Sequence, residues 1–451
     1  MTCPSPLHID KELILFGASG DLAKEKLYPA LFDLFMRDEG VRVTGFGRTA
    51  FSHDDFRTLV REAVSAKRAQ ATPEDIETFS SCFRYYSGTY DRGGMKALSE
   101  ALRGTPKKSL FFYLAIPSEY GLIEAIIDGL AGNDLLGKTT SLALEKPFGS
   151  DLASAKQLNA LLARHLDESQ IYRLDHYLAK DMVRDLFALR FANPIFDPVW
   201  NSRFIRDITI EIWEDEGIRK RAEYYERSGA IRDMLQNHAL ELLAFTTMDQ
   251  PKSQDPEDIH HEKIRIFRKL RLFGNEKLEN ISIGQYDGYR KEPLVASDSL
   301  VETRASIRLE IDTPRWRGIP ITIASGKKMP KKTTDITVTF RKPEHTLWEA
   351  SGCALAENRI RINIQPENEI RLRLNSEFST EKKCAYPADL RFAFADNAYS
   401  FKEPYDNALH DFFAKDQGTF LNAQEILLSW KFIDSVLAVI EPKRREILEK
   451  Y

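Results

Sequence analysis

The densest cluster of polar side chains in the sequence lies between Ile171 and Lys180, in the run Ile-Tyr-Arg-Leu-Asp-His-Tyr-Leu-Ala-Lys. His176, Tyr177 and Lys180 supply hydrogen-bond donors and positive charge, which are the groups that hold phosphoryl oxygens. If the run is helical, His176 and Lys180 are four residues apart and share one face. The segment predicts a phosphate-binding site, although an ordinary charged helix surface would carry the same residues.

A second candidate is the run from Gly229 to His238, which contains Asp233 and leads into an apolar stretch over residues 239–245. Removing a hydride from carbon while a proton leaves its hydroxyl requires a base of near-neutral pKa that is oriented by a carboxylate. His238 and Asp175 could supply these two groups. A partly buried structural histidine is the simpler interpretation of His238 taken alone.

Two turns that contain lysine follow predicted strands. In Glu145-Lys146-Pro147-Phe-Gly, the proline restricts the backbone of Lys146 and could aim its ammonium group into a cleft. The run from Ser325 to Lys332, Ser-Gly-Lys-Lys-Met-Pro-Lys-Lys, is a basic turn after another strand. Solvated turns without a ligand would also explain both segments.

A glycine-containing turn, Gly17-Ala-Ser-Gly20-Asp21, joins the first predicted strand to the first predicted helix. Glycines at such a junction let the backbone approach a pyrophosphate, whose charge then lies at a helix N-terminus. Arg48 follows the second predicted strand, where an acidic residue favours NAD and an arginine accommodates the 2′-phosphate of NADP. The G-x-x-G spacing is weak by itself, and Arg48 could equally be a solvated surface residue.

Strands and helices alternate in the first part of the chain, which predicts a parallel, doubly wound sheet. Pro29 falls inside the first predicted helix and should interrupt its hydrogen bonding. The predicted strands cover residues 12–17, 41–47, 109–116 and 139–145, and the predicted helices cover residues 21–37, 54–67 and 118–130.

The pattern changes after about residue 200, where apolar and polar residues alternate along several segments. This alternation is typical of antiparallel sheets with one buried face. The alternating runs lie at residues 205–212, 304–311, 335–340, 360–364 and 369–374, and residues 405–449 are predicted to be helical. The predicted fold is α/β, with an N-terminal Rossmann-type domain over residues 1–172. A larger α+β domain with a mainly antiparallel sheet, for substrate binding and dimerisation, is predicted over residues 173–451.

Composition narrows the class of protein. A chain of 451 residues is too long for one ordinary core, and 64 basic against 68 acidic side chains give a net charge of only −4. This balance gives no sign of a nucleic-acid or membrane partner. No apolar stretch approaches membrane-spanning length and no targeting segment is recognisable, so we expect a cytoplasmic enzyme. The four scattered cysteines predict reduced thiols, and His260 and His261 lack the spaced partners of a metal site.

Taken together, these segments resemble the glucose-6-phosphate dehydrogenase family. The family's G-A/G-S/T-G-D-L-A-x-x-K-L-x-P-A motif matches residues 17–30, and its E-K-P-F-G motif is unchanged at residues 145–149. Its R-I-D-H-Y-L-G-K-E and R-D-M-x-Q-N-H motifs match residues 173–181 and 232–238, and R-L-E-I-D-x-x-R-W-x-G-x-P matches residues 308–320. The motifs occur in order along nearly the whole chain, and together they are a specific signal.

The resemblance implies oxidation of glucose 6-phosphate at C1 to 6-phosphoglucono-lactone with hydride transfer to NADP, the first step of the pentose phosphate pathway. NAD is the weaker alternative cofactor. The implied catalytic pair is His238, as the base for the C1 hydroxyl, with Asp175. The implied substrate-binding residues are Lys146, His176, Tyr177, Lys180, Glu214, Asp233, Lys327 and Lys332. The implied cofactor-binding residues are Gly17, Ser19, Gly20, Asp21, Leu22, Lys26, Arg48 and Lys146.

The resemblance also implies a homodimer or homotetramer built through the large sheet of the second domain. The segment Gly217–Tyr225 departs from the family pattern G-V-E-G-R-x-G-Y-Y, with Arg219 in place of an acid and Glu223 in place of a glycine. Two other functions stay open. One is a dehydrogenase of another sugar, of the glucose–fructose oxidoreductase or inositol dehydrogenase type, since these enzymes also carry E-K-P after a Rossmann sheet. The other is a non-catalytic NADP-binding sensor.

Overall fold

The structure is a computed structural model, and it describes residues 11–103, 109–219, 221–274, 277–344, 348, 355–377, 384–394 and 402–451. The strands are β1 (Lys11–Phe16), β2 (Arg42–Gly47), β3 (Phe83–Ser87), β4 (Ser109–Leu114), β5 (Ser141–Glu145), β6 (Ile171–Leu174), β7 (Ile205–Trp213), β8 (Leu270–Leu272), β9 (Ile281–Gln285), β10 (Arg304–Ile311), β11 (Ile321–Gly326), β12 (Thr333–Phe340), β13 (Arg359–Gln365), β14 (Glu369–Glu377), β15 (Ala385–Ala393), β16 (Phe420–Leu421) and β17 (Leu448–Lys450).

The α-helices are α1 (Tyr28–Phe35), α2 (His53–Lys67), α3 (Pro73–Ser81), α4 (Arg92–Ala101), α5 (Tyr120–Ala131), α6 (Leu152–Ala163), α7 (Asp181–Phe191), α8 (Ala222–Ala230), α9 (Leu240–Thr247), α10 (Pro256–Phe267), α11 (Pro404–Ala414), α12 (Ala423–Ile440) and α13 (Arg444–Ile447). Within the described ranges, no helix combines the length and apolar character needed to cross a membrane.

The first of two compact units takes its described residues from 1–179, 254–257 and 402–427. Its sheet has the strand order β16-β6-β5-β4-β1-β2-β3. Strands β1 to β6 pair in parallel, and the short β16 adds an antiparallel edge to β6. Leu13, Ile14, Leu15 and Phe16 are all buried, as expected for a parallel strand that is covered on both faces. The predicted doubly wound sheet is confirmed.

The first helix of this unit changes its winding before the proline that was predicted to interrupt it. Residues Ala23–Leu27 form a π-helical turn, and the α-helix α1 begins at Tyr28 with Pro29 in its first turn. Proline has no N–H to donate, and its ring disturbs the preceding helical turn. The interruption therefore occurs where the sequence predicts it.

The second compact unit comprises residues 180–253, the described part of 258–401, and residues 428–451. Its sheet has the order β15-β14-β13-β12-β7-β11-β10-β9-β17, with β8 paired to β10. The pairs β7–β11 and β9–β17 are parallel, and the other pairs are antiparallel. Along β7 the buried residues are Ile205, Ile208, Ile210 and Ile212, and the residues between them are partly or fully exposed. The strand therefore packs its isoleucine side chains into the core. The predicted mainly antiparallel sheet is confirmed.

The polar segment 175–180, for which the sequence left helix formation open, is a turn. Asp175 accepts hydrogen bonds that close tight turns, and helix α7 begins only at Asp181. Two other local predictions are wrong. The C-terminal region is not helical throughout, since it also contains β16 and β17. Cys82 and Cys384 are each in the disulfide form rather than reduced, and Cys3 and Cys353 lie outside the described residues.

Candidate active site

The turn after β1 has the backbone geometry that close approach to a phosphate requires. Gly17 has φ +73°, and a Cβ atom there would lie 2.2 Å from the carbonyl oxygen of Ala115. The N–H of Gly20 donates to the carbonyl of Gly17 over 2.9 Å, and the helical run follows directly. Only glycine adopts this conformation at residue 17 without strain. The turn therefore brings glycine backbone to a helix start, the position at which a dinucleotide pyrophosphate binds in this kind of fold.

Side chains around this turn fit the adenosine end of a dinucleotide. Arg48 is exposed directly after β2, and its guanidinium lies 5.9 Å from the ring centroid of Tyr90. The hydroxyl of Tyr90 in turn accepts a hydrogen bond from the N–H of Gly17 over 3.2 Å. Ser19 and Thr49 share a hydrogen bond of 3.2 Å. These contacts connect the ends of β1 and β2, where the phosphate and ribose groups of a dinucleotide bind in this fold.

The predicted cofactor residues further along the first helix are more exposed. Asp21 forms an ion pair with Lys24 at 3.0 Å, and Lys26 lies 3.8 Å from a carboxylate oxygen of Glu403. Leu22 is half-buried at the start of the helical run. These residues occupy the helix start beside Gly20, while their contacts with a cofactor stay a prediction.

The carboxyl end of β5 holds a partly buried acid beside Lys146. Glu145 accepts a hydrogen bond from the Tyr113 hydroxyl over 2.5 Å and another from the Tyr405 hydroxyl. Burial raises the pKa of Glu145 to about 7, and these two hydrogen bonds, together with the positive charge of Lys146, oppose that rise. The peptide bond between Lys146 and Pro147 is cis.

The turn after β6 organises three of the predicted residues within the first unit. Asp175 is buried, and its Oδ1 accepts a hydrogen bond from the backbone N–H of Tyr177 over 2.9 Å. The His176 ring lies edge-on to Tyr177 with centroids 5.0 Å apart, and it is nearly parallel to the Tyr405 ring at 6.4 Å. The turn thus fixes an imidazole, a phenol and a carboxylate at the carboxyl edge of the sheet.

In the second unit, Lys327 and Glu214 form a close ion pair. The Nζ of Lys327 donates to the Oε2 of Glu214 over 2.6 Å and lies 5.2 Å from the ring centroid of Tyr225. Lys327 is buried at the end of β11, and Glu214 follows the parallel strand β7. Lys332 is exposed just before β12. A charged pair of this kind can bind sugar hydroxyls as both donor and acceptor.

Asp233 and His238 lie on one π-helical segment, Ile231–Ala239. Residues five apart are joined by the backbone hydrogen bonds of a π-helix and so lie one turn above each other. In an α-helix the same two residues would point about 140° apart. Both side chains are buried, and the Tyr224 hydroxyl donates to Oδ1 of Asp233 over 3.0 Å. The unusual winding therefore brings the predicted base and a predicted sugar-binding acid onto the same face.

Lys180, at the N-terminus of α7, donates a hydrogen bond to the side chain of Gln365 at the end of β13. Gln365 also donates to Thr334 over 3.0 Å.

Arg219, which stands where the family pattern has an acid, is exposed, has φ +50° and forms an ion pair with Glu216. Asp175, His176 and Tyr177 belong to the first unit, and Lys180 and His238 belong to the second.

Several residues that contact the predicted site residues were not themselves predicted from the sequence. Tyr405 and Gln365 lie far along the chain from Glu145 and Lys180, and neither belongs to a recognisable local motif. Tyr224 lies in the Tyr-Tyr pair of the departing segment and could have been proposed from that motif. Side-chain partners of this kind depend on which strands meet, which local spacing does not reveal.

Comparison with known proteins gives matches along almost the whole chain. The family model described as "Glucose-6-phosphate dehydrogenase, NAD binding domain" matches residues 14–185, and the "Glucose-6-phosphate dehydrogenase, C-terminal domain" model matches residues 187–451. The chain is 35% identical over 448 residues to glucose-6-phosphate 1-dehydrogenase of Bacillus subtilis (strain 168), covering 94% of this chain and 90% of the relative.

Two solved structures are also similar. One is a glucose-6-phosphate dehydrogenase in complex with its substrate glucose 6-phosphate, with a TM-score of 0.90 and 29% identity over 98% of this chain and 94% of that one. The other is glucose-6-phosphate 1-dehydrogenase from Mycobacterium avium, with a TM-score of 0.88 and 32% identity over the same shares of the two chains.

Proposed function

This chain belongs to the glucose-6-phosphate dehydrogenase family, and from that premise we propose that it oxidises glucose 6-phosphate at C1 with NADP as hydride acceptor. The product is 6-phosphoglucono-lactone, so the reaction is the first step of the pentose phosphate pathway. The observation that carries this function is the pair of family models, which together cover residues 14–185 and 187–451.

The cofactor is a nicotinamide dinucleotide, and NADP is the form that Arg48 favours. A guanidinium can pair with the dianionic 2′-phosphate, whereas NAD offers only a neutral hydroxyl at that position. When bound, the nicotinamide supplies the hydride acceptor. The residues that would hold the cofactor are Gly17, Ser19, Gly20, Asp21, Leu22, Lys26, Arg48 and Lys146.

His238 acts as the general base. Its imidazole takes the proton from the C1 hydroxyl while C1 loses a hydride, and the electron pair of the O–H bond then forms the lactone carbonyl. Asp175 orients the imidazole and stabilises the imidazolium that forms, because a carboxylate favours the charged ring. Each of the two side chains is buried within its own unit, which supports the assignment, because charged groups interact more strongly where water is excluded.

The substrate phosphate binds to His176, Tyr177 and Lys180, which offer the donors and the charge that a dianion requires. The sugar hydroxyls bind to the remaining polar residues. The ion pair of Lys327 with Glu214 and the Tyr224–Asp233 hydrogen bond support these roles, because each sugar-binding group is already oriented. The proposed sugar-binding residues are Lys146, Glu214, Asp233, Lys327 and Lys332.

The second sheet carries a surface suited to self-association. Leu374 of β14 and Tyr386, Leu390 and Phe392 of β15 are exposed, with Leu390 61% accessible. The alternation along β15 and the pairing of Leu374 with Ala388 put these side chains on one face of the sheet. A homodimer through this face is the proposed assembly, with a homotetramer as the alternative, and light scattering on the purified protein tests it.

The expected cytoplasmic location is tested by cell fractionation.

The function is tested with a panel of sugars and sugar phosphates, each assayed with NADP and with NAD. We expect the highest kcat/KM for glucose 6-phosphate with NADP. A preference for unphosphorylated sugar would favour the glucose–fructose oxidoreductase type, and cofactor binding without turnover would favour a sensor. Lys180→Ala distinguishes the first two, because it raises KM sharply only if a phosphate binds there.

A further inference from the structure

Tyr451 is held against the turn that carries Lys327. Strand β17 pairs in parallel with β9 and leads directly into this tyrosine. The backbone N–H of Tyr451 donates to the carbonyl of Gln285 over 3.3 Å, and its own carbonyl accepts from the N–H of Asp287 over 2.8 Å. Both backbone groups of Tyr451 are therefore fixed by the β9 strand and the residues that follow it.

The Tyr451 side chain reaches from this strand to the neighbouring ends of β10 and β11. Its hydroxyl donates to the main-chain carbonyl of Lys327 over 2.8 Å and lies 3.0 Å from the hydroxyl of Thr303. The N–H of Lys327 donates to the carbonyl of Thr303 over 2.9 Å. The guanidinium of Arg304 covers the Tyr451 ring at 4.6 Å from its centroid. The Tyr451 hydroxyl and Thr303 therefore together fix the backbone carbonyl and N–H of Lys327.

The opposite side of the same turn is fixed by the segment that contains Glu214. The N–H of Lys328 donates to the carbonyl of Glu216, and the N–H of Met329 donates to the carbonyl of Glu214, both over 3.0 Å. Lys328 has φ +55°, so the turn adopts a conformation that a side chain disfavours and that surrounding contacts must maintain. The Lys327–Glu214 ion pair depends on a turn held from both sides.

We infer that Tyr451 is a positioning residue for substrate binding, which holds the backbone of Lys327 so that its ammonium group stays oriented towards Glu214 and the sugar. This inference rests on the proposed function of Lys327. Tyr451 acts through the lysine and has no role in the chemical step. A pre-oriented ammonium group binds more tightly, because less side-chain and backbone freedom is lost when the sugar arrives.

Steady-state kinetics of Tyr451→Phe test the inference, since this variant loses the hydroxyl and keeps the ring against Arg304. We expect KM for glucose 6-phosphate to rise about threefold to tenfold, the range for one neutral hydrogen bond. Both kcat and KM for NADP should stay unchanged. The matched control is Tyr289→Phe, which removes a buried hydroxyl hydrogen bond of 2.6 Å to Glu226 in the same aromatic cluster.

A double-mutant cycle with Lys327→Met shows whether Tyr451 acts through the lysine. We expect Tyr451→Phe to change KM by less than twofold in the Lys327→Met background, because the group that it positions is then absent. An unchanged KM in the single variant, an equal rise in Tyr289→Phe, or an additive effect in the cycle would overturn the inference. A wild-type protein without glucose-6-phosphate activity would instead overturn the proposed function.

Discussion

The ammonium group of Lys327 donates a hydrogen bond to the Oε2 of Glu214 over 2.6 Å, although the two residues are 113 positions apart in the sequence. They meet because β7 and β11 are parallel neighbours whose carboxyl ends lie at the same edge of the second sheet. The ion pair compensates both charges, which lowers the cost of burying the Lys327 ammonium group.

Lys327→Met should raise KM for glucose 6-phosphate about 10-fold to 100-fold, because a hydrogen bond from a charged donor contributes about 1.5–3 kcal/mol. Initial-rate measurements with varied substrate at saturating NADP give this value. The control is Lys443→Met, which removes an exposed ion pair with Glu446 in the same unit. Equal KM values for Lys327→Met and the wild type would show that Lys327 does not bind the sugar.

Arg48→Ala should weaken NADP binding by at least about 10-fold and leave NAD binding nearly unchanged, because only NADP carries the 2′-phosphate that the guanidinium can pair with. Fluorescence titration with each reduced cofactor measures both dissociation constants. Arg37→Ala is the control, since Arg37 is also exposed and lies beyond the other end of the first helix. Equal losses for the two cofactors would refute the role of Arg48.

Gly17→Ala should lower the free energy of unfolding by at least about 1 kcal/mol, the scale for a non-glycine residue forced into a positive φ. The new Cβ atom would also lie 2.2 Å from the carbonyl oxygen of Ala115, so β1 and β4 must separate and cofactor affinity should fall. Gly137→Ala is the matched control, because an added Cβ there has no neighbour within 4 Å. Urea unfolding curves compare the two variants, and a Gly17→Ala protein as stable as Gly137→Ala would contradict the strained geometry.

The pH dependence of stability should change in Glu145→Gln. Because burial raises the pKa of Glu145 from its usual 4.5 to about 7, the folded chain holds a proton that the unfolded chain releases within this window. The contribution of Glu145 to the free energy of unfolding is therefore fully present at low pH and is lost as pH rises through about 7. Between about pH 5 and about pH 8, the wild type should lose more free energy of unfolding than Glu145→Gln.

The matched control for this measurement is Glu100→Gln, at an exposed position of α4. Its free energy of unfolding should follow the wild-type pH dependence. If Glu145→Gln has the same slope as the wild type and the control, the carboxyl group of Glu145 does not carry a raised pKa in the folded protein.

Patterns that depend on burial were predictable from the sequence. Strand β10 covers Arg304–Ile311, the same residues as the alternating run, because each second side chain enters the core. The continuous apolar run of β1 likewise indicated a strand covered on both faces. Gly17, at the end of that run, required only the local rule that a positive φ favours glycine.

Features that depend on distant partners were not predictable. The π-helical winding of Ile231–Ala239 has no characteristic spacing of apolar residues in the sequence. It could therefore not be predicted that Asp233 and His238 share one face of this segment. Strands β16 and β17 have two and three residues, too few for an alternating pattern. Tyr405 and Tyr451 gain their contacts only through the strands that the tertiary fold brings together.

Hydride transfer from C1 is tested most directly by following the hydrogen on that carbon. Purified protein should be mixed with NADP and glucose 6-phosphate that carries deuterium at C1, and the reduced cofactor analysed by mass spectrometry. We expect the wild type to transfer the deuterium to the nicotinamide ring and His238→Asn to do so at least about 10²-fold more slowly. Unlabelled reduced cofactor, or a His238→Asn protein with the wild-type rate, would contradict this expectation.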